Sequence, residues 1–137
     1  MRGQVQGTGR TWVWHENDSR VIGYFTLAAH VLVRDELGLS RNKSRGLPQK
    51  LPAILIAKLA LDRTLHGSGA GGELLADALE RCVQVSHIVG ARYVVVDAID
   101  DRAADFYLHY GFDPVPGTPS RLIQRVSDVE ASLTPDF

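Results

Sequence analysis

The chain has 137 residues, of which 45% are hydrophobic and 23% are charged, and its formal net charge is −1. This length and composition fit one compact domain that buries its own core, and they give no sign of a second domain. The near-neutral total hides an asymmetry, because residues 1–63 carry 10 Lys and Arg against 5 Asp and Glu, whereas residues 64–137 carry 5 against 11. A basic first half suits contact with phosphates, but it indicates nucleic-acid binding less strongly than a high pI would.

The sequence gives no sign of a membrane span or of disulfides. The single cysteine, Cys82, cannot form an intramolecular disulfide, and polar residues follow Met1 in place of an apolar signal segment. No apolar run approaches the roughly 20 residues that cross a bilayer. We therefore expect a soluble cytoplasmic protein. The five histidines lack the spacing of metal ligands, so no metal site is predicted.

The first predicted elements are the two strands of a β-hairpin, residues 11–14 and 21–27, which are rich in aromatic and β-branched residues. Polar residues 15–20 form the predicted turn between them. Residues 1–10 carry no predicted element and are a candidate disordered segment. From Asp35 to Lys50 the polar composition and the nearby prolines predict a basic loop.

Two strands and a helix are predicted next. Residues 53–61 are nearly all apolar, which also suits a buried helix, but the flanking prolines and glycines favour a strand covered on both faces. Apolar residues from Leu74 to Val85 recur at three- and four-residue steps, which predicts an amphipathic helix that ends near Gly90. Residues 92–97 are predicted as a second buried strand.

Three short elements complete the prediction. Residues 101–110 read as a helix that Gly111 stops, and residues 122–126 as a last strand. The segment Ser127-Asp128-Val129-Glu130 fits a capping box, so a short terminal helix is expected.

A glycine-rich turn, His66-Gly67-Ser68-Gly69-Ala70-Gly71-Gly72, lies between the buried strand and the amphipathic helix. Such an arrangement aims free amides and a helix N-terminus at an anion, and small residues let a phosphate come close. A P-loop would end in Gly-Lys-Ser/Thr, where Gly71-Gly72-Glu73 stands, so that interpretation fails. The spacing also fits a dinucleotide fingerprint with Asp97 as the ribose-binding acid, but such a strand should open a series of βαβ units, whereas hairpin strands precede this one. A turn without a ligand is the third alternative.

A second motif supports a ligand. His66 to Gly71 resembles the GNAT motif Gln/Arg-x-x-Gly-x-Gly/Ala, with histidine at the first position, and Ala103-Ala104-Asp105-Phe106-Tyr107-Leu108-His109-Tyr110-Gly111-Phe112 resembles the GNAT segment Ala-x-x-Phe-Tyr-x-x-x-Gly-Phe. The segments 59–63, 95–101 and 23–29 are more specifically similar to the tRNA-acetylating toxins of type II toxin-antitoxin modules. This similarity runs from about Thr11 to Leu133.

The resemblance implies a site for acetyl-CoA and a catalytic acid. It implies that the cofactor lies along the strand at Leu59 to Leu61, where backbone amides would hold the thioester carbonyl, and that the glycine turn holds the pyrophosphate. It also implies that Tyr107 protonates the departing thiolate, although outside the motif this residue would be interpreted as a core aromatic. Asp100 stands where many relatives have asparagine, which removes an amide donor. The cofactor-binding residues implied are Leu59, Ala60, Leu61, His66, Gly67, Ser68, Gly69, Ala70, Gly71, Gly72, Asp100 and Phe106.

The substrate of that family is the α-amino group of aminoacyl-tRNA, whose pKa of about 8 leaves a useful neutral fraction at pH 7. A strong general base is then dispensable, and the sequence offers no obvious one; Asp97 is interpreted as structural. The basic loop is predicted to contact the RNA backbone, with a solvated charged loop as the alternative. Its cations are Arg41, Lys43, Arg45 and Lys50. Cys82 lies among the apolar positions of its helix and is expected to be inert.

The expected fold is therefore the α/β (α+β) fold of the GNAT acyltransferases, a mixed central sheet flanked by helices, with residues 1–137 as one domain. Members of the toxin family carry a strand and two helices before the hairpin, and we expect this chain to be shortened there and its acceptor groove to be incomplete. The implied partners are aminoacyl-tRNA and a ribbon-helix-helix antitoxin, and a homodimer stays open. The alternatives are a GNAT enzyme that acetylates a small amine or a protein N-terminus, and a non-catalytic acyl-CoA-binding protein.

Overall fold

A computed structural model describes residues 2–6, 9–17 and 20–133, and for residues 2–6 it describes the backbone only. These residues form one seven-stranded sheet with the strand order β1-β2-β3-β4-β5-β7-β6. All neighbouring strands are antiparallel except β4 and β5, which are parallel. The strands are β1 (Arg2–Gln6), β2 (Gly9–Asn17), β3 (Arg20–Val33), β4 (Lys50–Leu61), β5 (Tyr93–Asp97), β6 (Asp113–Val115) and β7 (Thr118–Arg125). The mixed sheet predicted from the sequence is confirmed.

The predicted hairpin is β2 and β3, but both strands are longer than the sequence indicates. Residues 15–17 and 20 of the predicted turn belong to these strands, with His15 paired to Val21 and Asn17 to Arg20, and residues 18 and 19 lie outside the described part of the chain. Strand β1 was not predicted; it pairs with β2 from Arg2 to Gln6, within the segment considered for disorder, whose residues 1, 7 and 8 lie outside the described residues.

Strand β4 begins at Lys50, earlier than predicted, and it includes Pro52. A proline is tolerated here because the pairing with β5 begins only at Ala53, so no partner strand requires the missing N–H. The Pro52 carbonyl still accepts a hydrogen bond from the Arg92 amide, with N and O 2.9 Å apart. Further along, Thr26 pairs with Lys58 while Leu27 pairs with Ile56, so Ala57 is the extra residue of a β-bulge.

The described residues form four α-helices, of which three lie where the sequence predicts them and one, α1 (Arg41–Ser44), was not predicted. Helix α2 (Ala70–Val89) ends at Gly90, whose φ of 72° closes the helix, and α3 (Asp101–His109) is followed by Gly111 with a φ of 94°. Helix α4 (Val126–Leu133) begins one residue before Ser127, so this serine lies inside the first turn instead of at the cap position of the predicted capping box. Within the predicted basic loop, α1 (Arg41–Ser44) forms one turn because the Ser40 side chain accepts from the Lys43 amide.

Two apolar clusters cover the two faces of the sheet. On one face α2, α3 and α4 pack against alternate residues of the central strands, including Phe25, Ile56 and Val94. On the other face, the connection between β3 and β4 lays Leu37 against Tyr93 and neighbouring side chains. Alternation along β5 therefore assigns Val94 and Val96 to the helix face and Tyr93 and Val95 to the opposite face.

Candidate active site

The site is built around the point where β4 and β5 separate. The two strands pair only from Ala53–Ile56 to Tyr93–Val96, and β4 then continues for five residues to Leu61 beside β3 alone. The Asp62 amide donates to Ile22 of β3 over 2.8 Å, so alternate residues of this stretch bond to β3. The peptide groups of Leu59 and Leu61 point away from β3, into the gap between β4 and β5. The peptide of Ala60, the third predicted strand contact, faces β3.

The glycine-rich turn follows at the end of β4. Gly67 and Gly69 have φ values of 81° and 90°, which L side chains rarely adopt, and a Cβ at either position would meet open space. Gly69 is the residue that caps α2, and the first intrahelical bond joins the Glu73 amide to its carbonyl at 3.3 Å. The amides of Gly71 and Gly72 in the first turn therefore have no helical acceptor. Free amides at the start of a helix are suited to an anion.

Other residues of the turn hold it in shape. The His66 Nε2 lies 2.9 Å from the Leu61 carbonyl and ties the turn to the end of β4. The Ser68 amide donates to the Leu65 carbonyl over 3.3 Å, and its hydroxyl donates to the same carbonyl. The Ala70 amide donates to the Ser68 hydroxyl over 3.3 Å. The ring of His66, the amide and hydroxyl of Ser68 and the amide of Ala70 are therefore already hydrogen-bonded within the protein.

Gly72 is required by packing as well. A Cβ at this position would lie 2.8 Å from Cζ of Tyr110, closer than real Cβ atoms approach other heavy atoms. The Tyr110 ring also packs edge-on against Phe106 with centroids 5.1 Å apart. The absence of a side chain at Gly72 therefore lets α3 lie against the first turn of α2.

Tyr107 lies on the side of α3 that faces the sheet, and it is 8% exposed. Its ring packs edge-on between Phe106 and Phe112, with centroid distances of 5.4 and 5.6 Å. Burial raises its pKa above the ordinary tyrosine value, so the phenol stays protonated at neutral pH. Asp100 caps α3 by accepting from the Ala103 amide over 2.8 Å.

One cleft of about 400 Å³ brings most of the predicted residues together. Its walls come from the end of β4, the glycine turn, the first turns of α2 and the segment that leads into α3. The lining residues are Leu59, Leu61, His66, Gly67, Gly71, Leu74, Ile99, Asp100, Arg102, Ala103, Phe106 and Tyr107. The sequence analysis did not select Leu74, Ile99, Arg102 or Ala103, although the last three flank the predicted Asp100 and Phe106.

The predicted RNA-contacting cations lie elsewhere. Arg41, Lys43 and Arg45 are exposed on or beside α1, and Lys50 is exposed at the start of β4. Nine residues separate Lys50 from Leu59 along β4, a distance of about 30 Å at the usual strand rise. The basic loop therefore lies at the opposite end of β4 from the cleft.

Two residues considered for other roles prove structural. The Asp97 carboxylate accepts from Arg121 Nε and Nη2 at 2.8 and 2.9 Å, as expected for a paired acid. Cys82 is buried, and burial raises the pKa of its thiol to about 12, so it is not a nucleophile at neutral pH. In the described part of the chain no group of metal-ligating side chains occurs, and none of its helices is long and apolar enough to cross a membrane.

A strand that separates from its parallel neighbour, a glycine turn at a helix N-terminus and a buried tyrosine in one cleft define the class of acyl-CoA-dependent acyltransferases. The chain belongs to the acetyltransferase (GNAT) family, whose sequence profile matches residues 4–112. It is an acetyl-CoA-dependent N-acetyltransferase by family, and the fold prediction is thereby confirmed.

Within this family, the chain is similar to several toxins. The chain is 38% identical over 134 residues to a tRNA-acetylating toxin of Mycobacterium tuberculosis, a match that covers 97% of this chain and 78% of that protein. The structure of AtaT complexed with acetyl-methionyl-tRNAfMet has a TM-score of 0.85 at 29% identity, covering 93% of this chain and 77% of that one. A mutant AtaT toxin bound to the C-terminus of the antitoxin AtaR and acetyl-CoA has a TM-score of 0.76 at 26% identity, covering 93% and 74%. The predicted resemblance to tRNA-acetylating toxins is confirmed.

Proposed function

We propose that this chain transfers the acetyl group of acetyl-CoA to the α-amino group of aminoacyl-tRNA and acts as a toxin that blocks translation. The observation that carries the proposal is the single cleft in which the unpaired edge of β4, the glycine turn and Tyr107 meet. The relative from Mycobacterium tuberculosis is named a tRNA-acetylating toxin, and the similar structure of AtaT is a complex with acetyl-methionyl-tRNAfMet, which supports the choice of acceptor. The acting unit is the single domain of residues 1–137.

The donor would be held mainly by backbone groups. In our proposal the free amides of Gly71 and Gly72 hold the pyrophosphate, because free amides at a helix N-terminus favour negative charge, and the turn from His66 to Ala70 shapes the site around it. The gap-facing amides of Leu59 and Leu61 have no strand partner on that side, and the Leu59 amide is suited to stabilise charge on the thioester oxygen. Phe106 and the Asp100 segment supply the apolar and polar parts of the opposite wall.

Tyr107 would act as the general acid. Acyl transfer from a thioester leaves a thiolate, which departs more readily when a positioned hydroxyl gives it a proton. The buried phenol is protonated at neutral pH and lines the cleft opposite Leu59 and Leu61. The acceptor amine needs only to be neutral, and a sizeable fraction of α-amino groups is neutral at pH 7 without a protein base.

The basic loop would bind the RNA at a distance from the reacting group. Lys50 is exposed about 30 Å from Leu59 along β4, and the exposed Arg41, Lys43 and Arg45 belong to the connection that precedes it, so these cations would contact phosphates well away from the aminoacyl end. Their loss should weaken the binding of whole tRNA and leave the chemical step on a small acceptor unchanged.

The proposal extends to partners. AtaR in the similar complexes is named an antitoxin, and we propose that a small antitoxin of the ribbon-helix-helix type neutralises this chain in the cytoplasm, where charged tRNA occurs. A homodimer stays open as the active assembly.

The test is incubation of the protein with radiolabelled acetyl-CoA and either charged tRNA, peptides with free N-termini or polyamines. We expect label in the aminoacyl fraction of the tRNA, released by mild alkaline deacylation as N-acetylamino acid. Tyr107→Phe should abolish most of this label, and Tyr110→Phe, three residues further along the chain, is the matched control that should retain it. Label only on peptides or polyamines would contradict aminoacyl-tRNA as the acceptor, but it would still show that the protein is an acetyltransferase.

A further inference from the structure

The sheet consists of two half-sheets joined at one seam. Strands β1 to β4 form one half and β5 to β7 the other, and the seam is the four residue pairs from Ala53–Tyr93 to Ile56–Val96. Beyond the seam the halves part and form the cleft, with Leu59 and Leu61 on one wall and the residues of α3 on the other. The width of the cleft therefore depends on the angle at which the seam holds the two halves.

Three side chains bridge this seam on the face opposite the helices. Arg121 of β7 donates to the Asp97 carboxylate of β5 through Nε and Nη2, at 2.8 and 2.9 Å. Its remaining nitrogen, Nη1, lies 3.0 Å from Nε2 of His30, which belongs to β3. One guanidinium therefore connects β5 and β7 with β3, across β4. We call the group His30, Arg121 and Asp97 the strap.

The protonation state of the strap follows from its geometry. An arginine can only donate, so His30 Nε2 accepts, and the ring is neutral with its proton on Nδ1. Burial and the nearby Arg121 charge lower the pKa of His30, which keeps the ring in this state. The Arg121 hydrogen bonds lower the pKa of Asp97, so the carboxylate is ionised.

The strap lies where it can affect the cleft. Asp97 is the first β5 residue beyond the seam, and the chain runs directly from it through Ala98 and Ile99 to Asp100, the cap of α3. In the part of the chain that the structure describes, the His30 contact is the only recorded side-chain hydrogen bond between strands of the two halves. The strap therefore fixes both the seam and the start of the segment that carries Tyr107.

We propose that Arg121 is a positioning residue for the donor site, which holds the two half-sheets at the separation that acetyl-CoA requires. The inference rests on the proposed function only for the location of the donor in the cleft, and it is independent of the acceptor. Arg121 touches neither the donor nor the acceptor in this account; it acts through Asp97 and His30.

Arg125→Met is the matched control for Arg121→Met. Arg125 is four residues further along β7 and also pairs with a carboxylate, Asp128, at 3.0 and 3.2 Å, but both partners belong to the same half of the molecule. A second pair of variants isolates the cross-seam contact. His30→Gln keeps an acceptor for Arg121, whereas His30→Leu removes it.

The measurements are the dissociation constant of acetyl-CoA by calorimetry and amide hydrogen exchange in the free protein. We expect Arg121→Met and His30→Leu to weaken acetyl-CoA binding by about tenfold or more, consistent with losing hydrogen bonds of a charged group, and to accelerate exchange at Ile54, Ile56 and Val95, whose amides face the seam. Arg125→Met should leave both quantities within about twofold of wild type, and His30→Gln should restore most of the binding that His30→Leu loses.

The outcomes separate the two claims. Wild-type binding and wild-type exchange at the seam in Arg121→Met and His30→Leu would overturn the strap proposal and leave the proposed function intact. A wild-type chain that does not bind acetyl-CoA would refute the proposed donor site itself. If Arg121→Met does not fold, the comparison of His30→Leu with His30→Gln decides, because equal binding by these two would also overturn the proposal.

Discussion

Replacing Tyr107 with phenylalanine removes one hydroxyl from the cleft and is the most direct test of the proposed chemistry. The side chain is 8% exposed, and its ring contacts with Phe106 and Phe112 do not involve the oxygen. No hydrogen bond is recorded between this hydroxyl and any described residue, so the variant should lose no more than about 1 kcal/mol of folding stability. The ring contacts that shape the cleft remain.

The effect on catalysis should be much larger than the effect on folding. A positioned general acid contributes about 10²- to 10⁴-fold, which corresponds to about 3 to 5 kcal/mol of transition-state stabilisation. We expect kcat to fall by that factor, with the acetyl-CoA dissociation constant unchanged within about twofold, because the turn and the β4 edge are untouched.

The assay is single-turnover transfer from radiolabelled acetyl-CoA to charged tRNA, followed by rapid quench, with Tyr110→Phe as the control. Tyr110 is 39% exposed and is not among the residues that line the cleft, so its hydroxyl should not affect the chemical step. A Tyr107→Phe variant that transfers at the wild-type rate would refute the assignment of the acid. A loss of rate matched by an equal loss of donor binding would assign Tyr107 to binding instead.

The Tyr107 phenol, the glycine at position 72 and the Cys82 thiol each allow a further test. Because burial raises the pKa of Tyr107 above the ordinary tyrosine value of about 10, its proton should be lost only above that pH, so kcat measured against pH should show no alkaline decline assignable to this group below pH 10. Gly72→Ala should destabilise the fold by about 1 to 3 kcal/mol in urea unfolding, since the new Cβ meets Tyr110, and Gly72→Ala combined with Tyr110→Ala should recover part of the loss. Iodoacetamide should not label Cys82 in the native protein, and Cys82→Ala should retain transfer; labelling at neutral pH or a loss of turnover in a folded variant would contradict its inert role.

The elements that could be predicted from the sequence are those with a strong local pattern. Helix α2 has apolar residues at helical spacing and a glycine at its end, and both the helix and its end at Gly90 are confirmed. Helix α3 was predicted over residues 101–110 with a stop at Gly111, and it spans Asp101–His109. Strand β6 has only three residues, one of them proline, and exists through its pairing with β7, which no local pattern reveals.

The candidate site was predicted in outline, because its glycines and Tyr107 lie in recognisable motifs. The roles of individual residues depend on tertiary contacts that the motifs do not contain. His66 stands at a motif position, yet its ring nitrogen contacts the Leu61 carbonyl, and a side chain at Gly72 would collide with the Tyr110 ring. Both partners are brought in by the packing of α3 and β4 against the turn.

The orientation of the β4 edge shows most clearly why the sequence was insufficient. On β4, the even-numbered residues that precede the bulge at Ala57 point their peptide groups toward β5, as the hydrogen bond from the Arg92 amide to the Pro52 carbonyl shows. After the bulge this alternation is reversed, so the peptide groups of Leu59 and Leu61 face the gap and that of Ala60 faces β3. A strand of nearly uniform apolar residues conceals this one-residue shift, because no alternation is visible to be interrupted. The amides that the proposed chemistry requires are therefore selected by the single extra residue at Ala57, through the register with β3, and not by the identity of the residues that carry them.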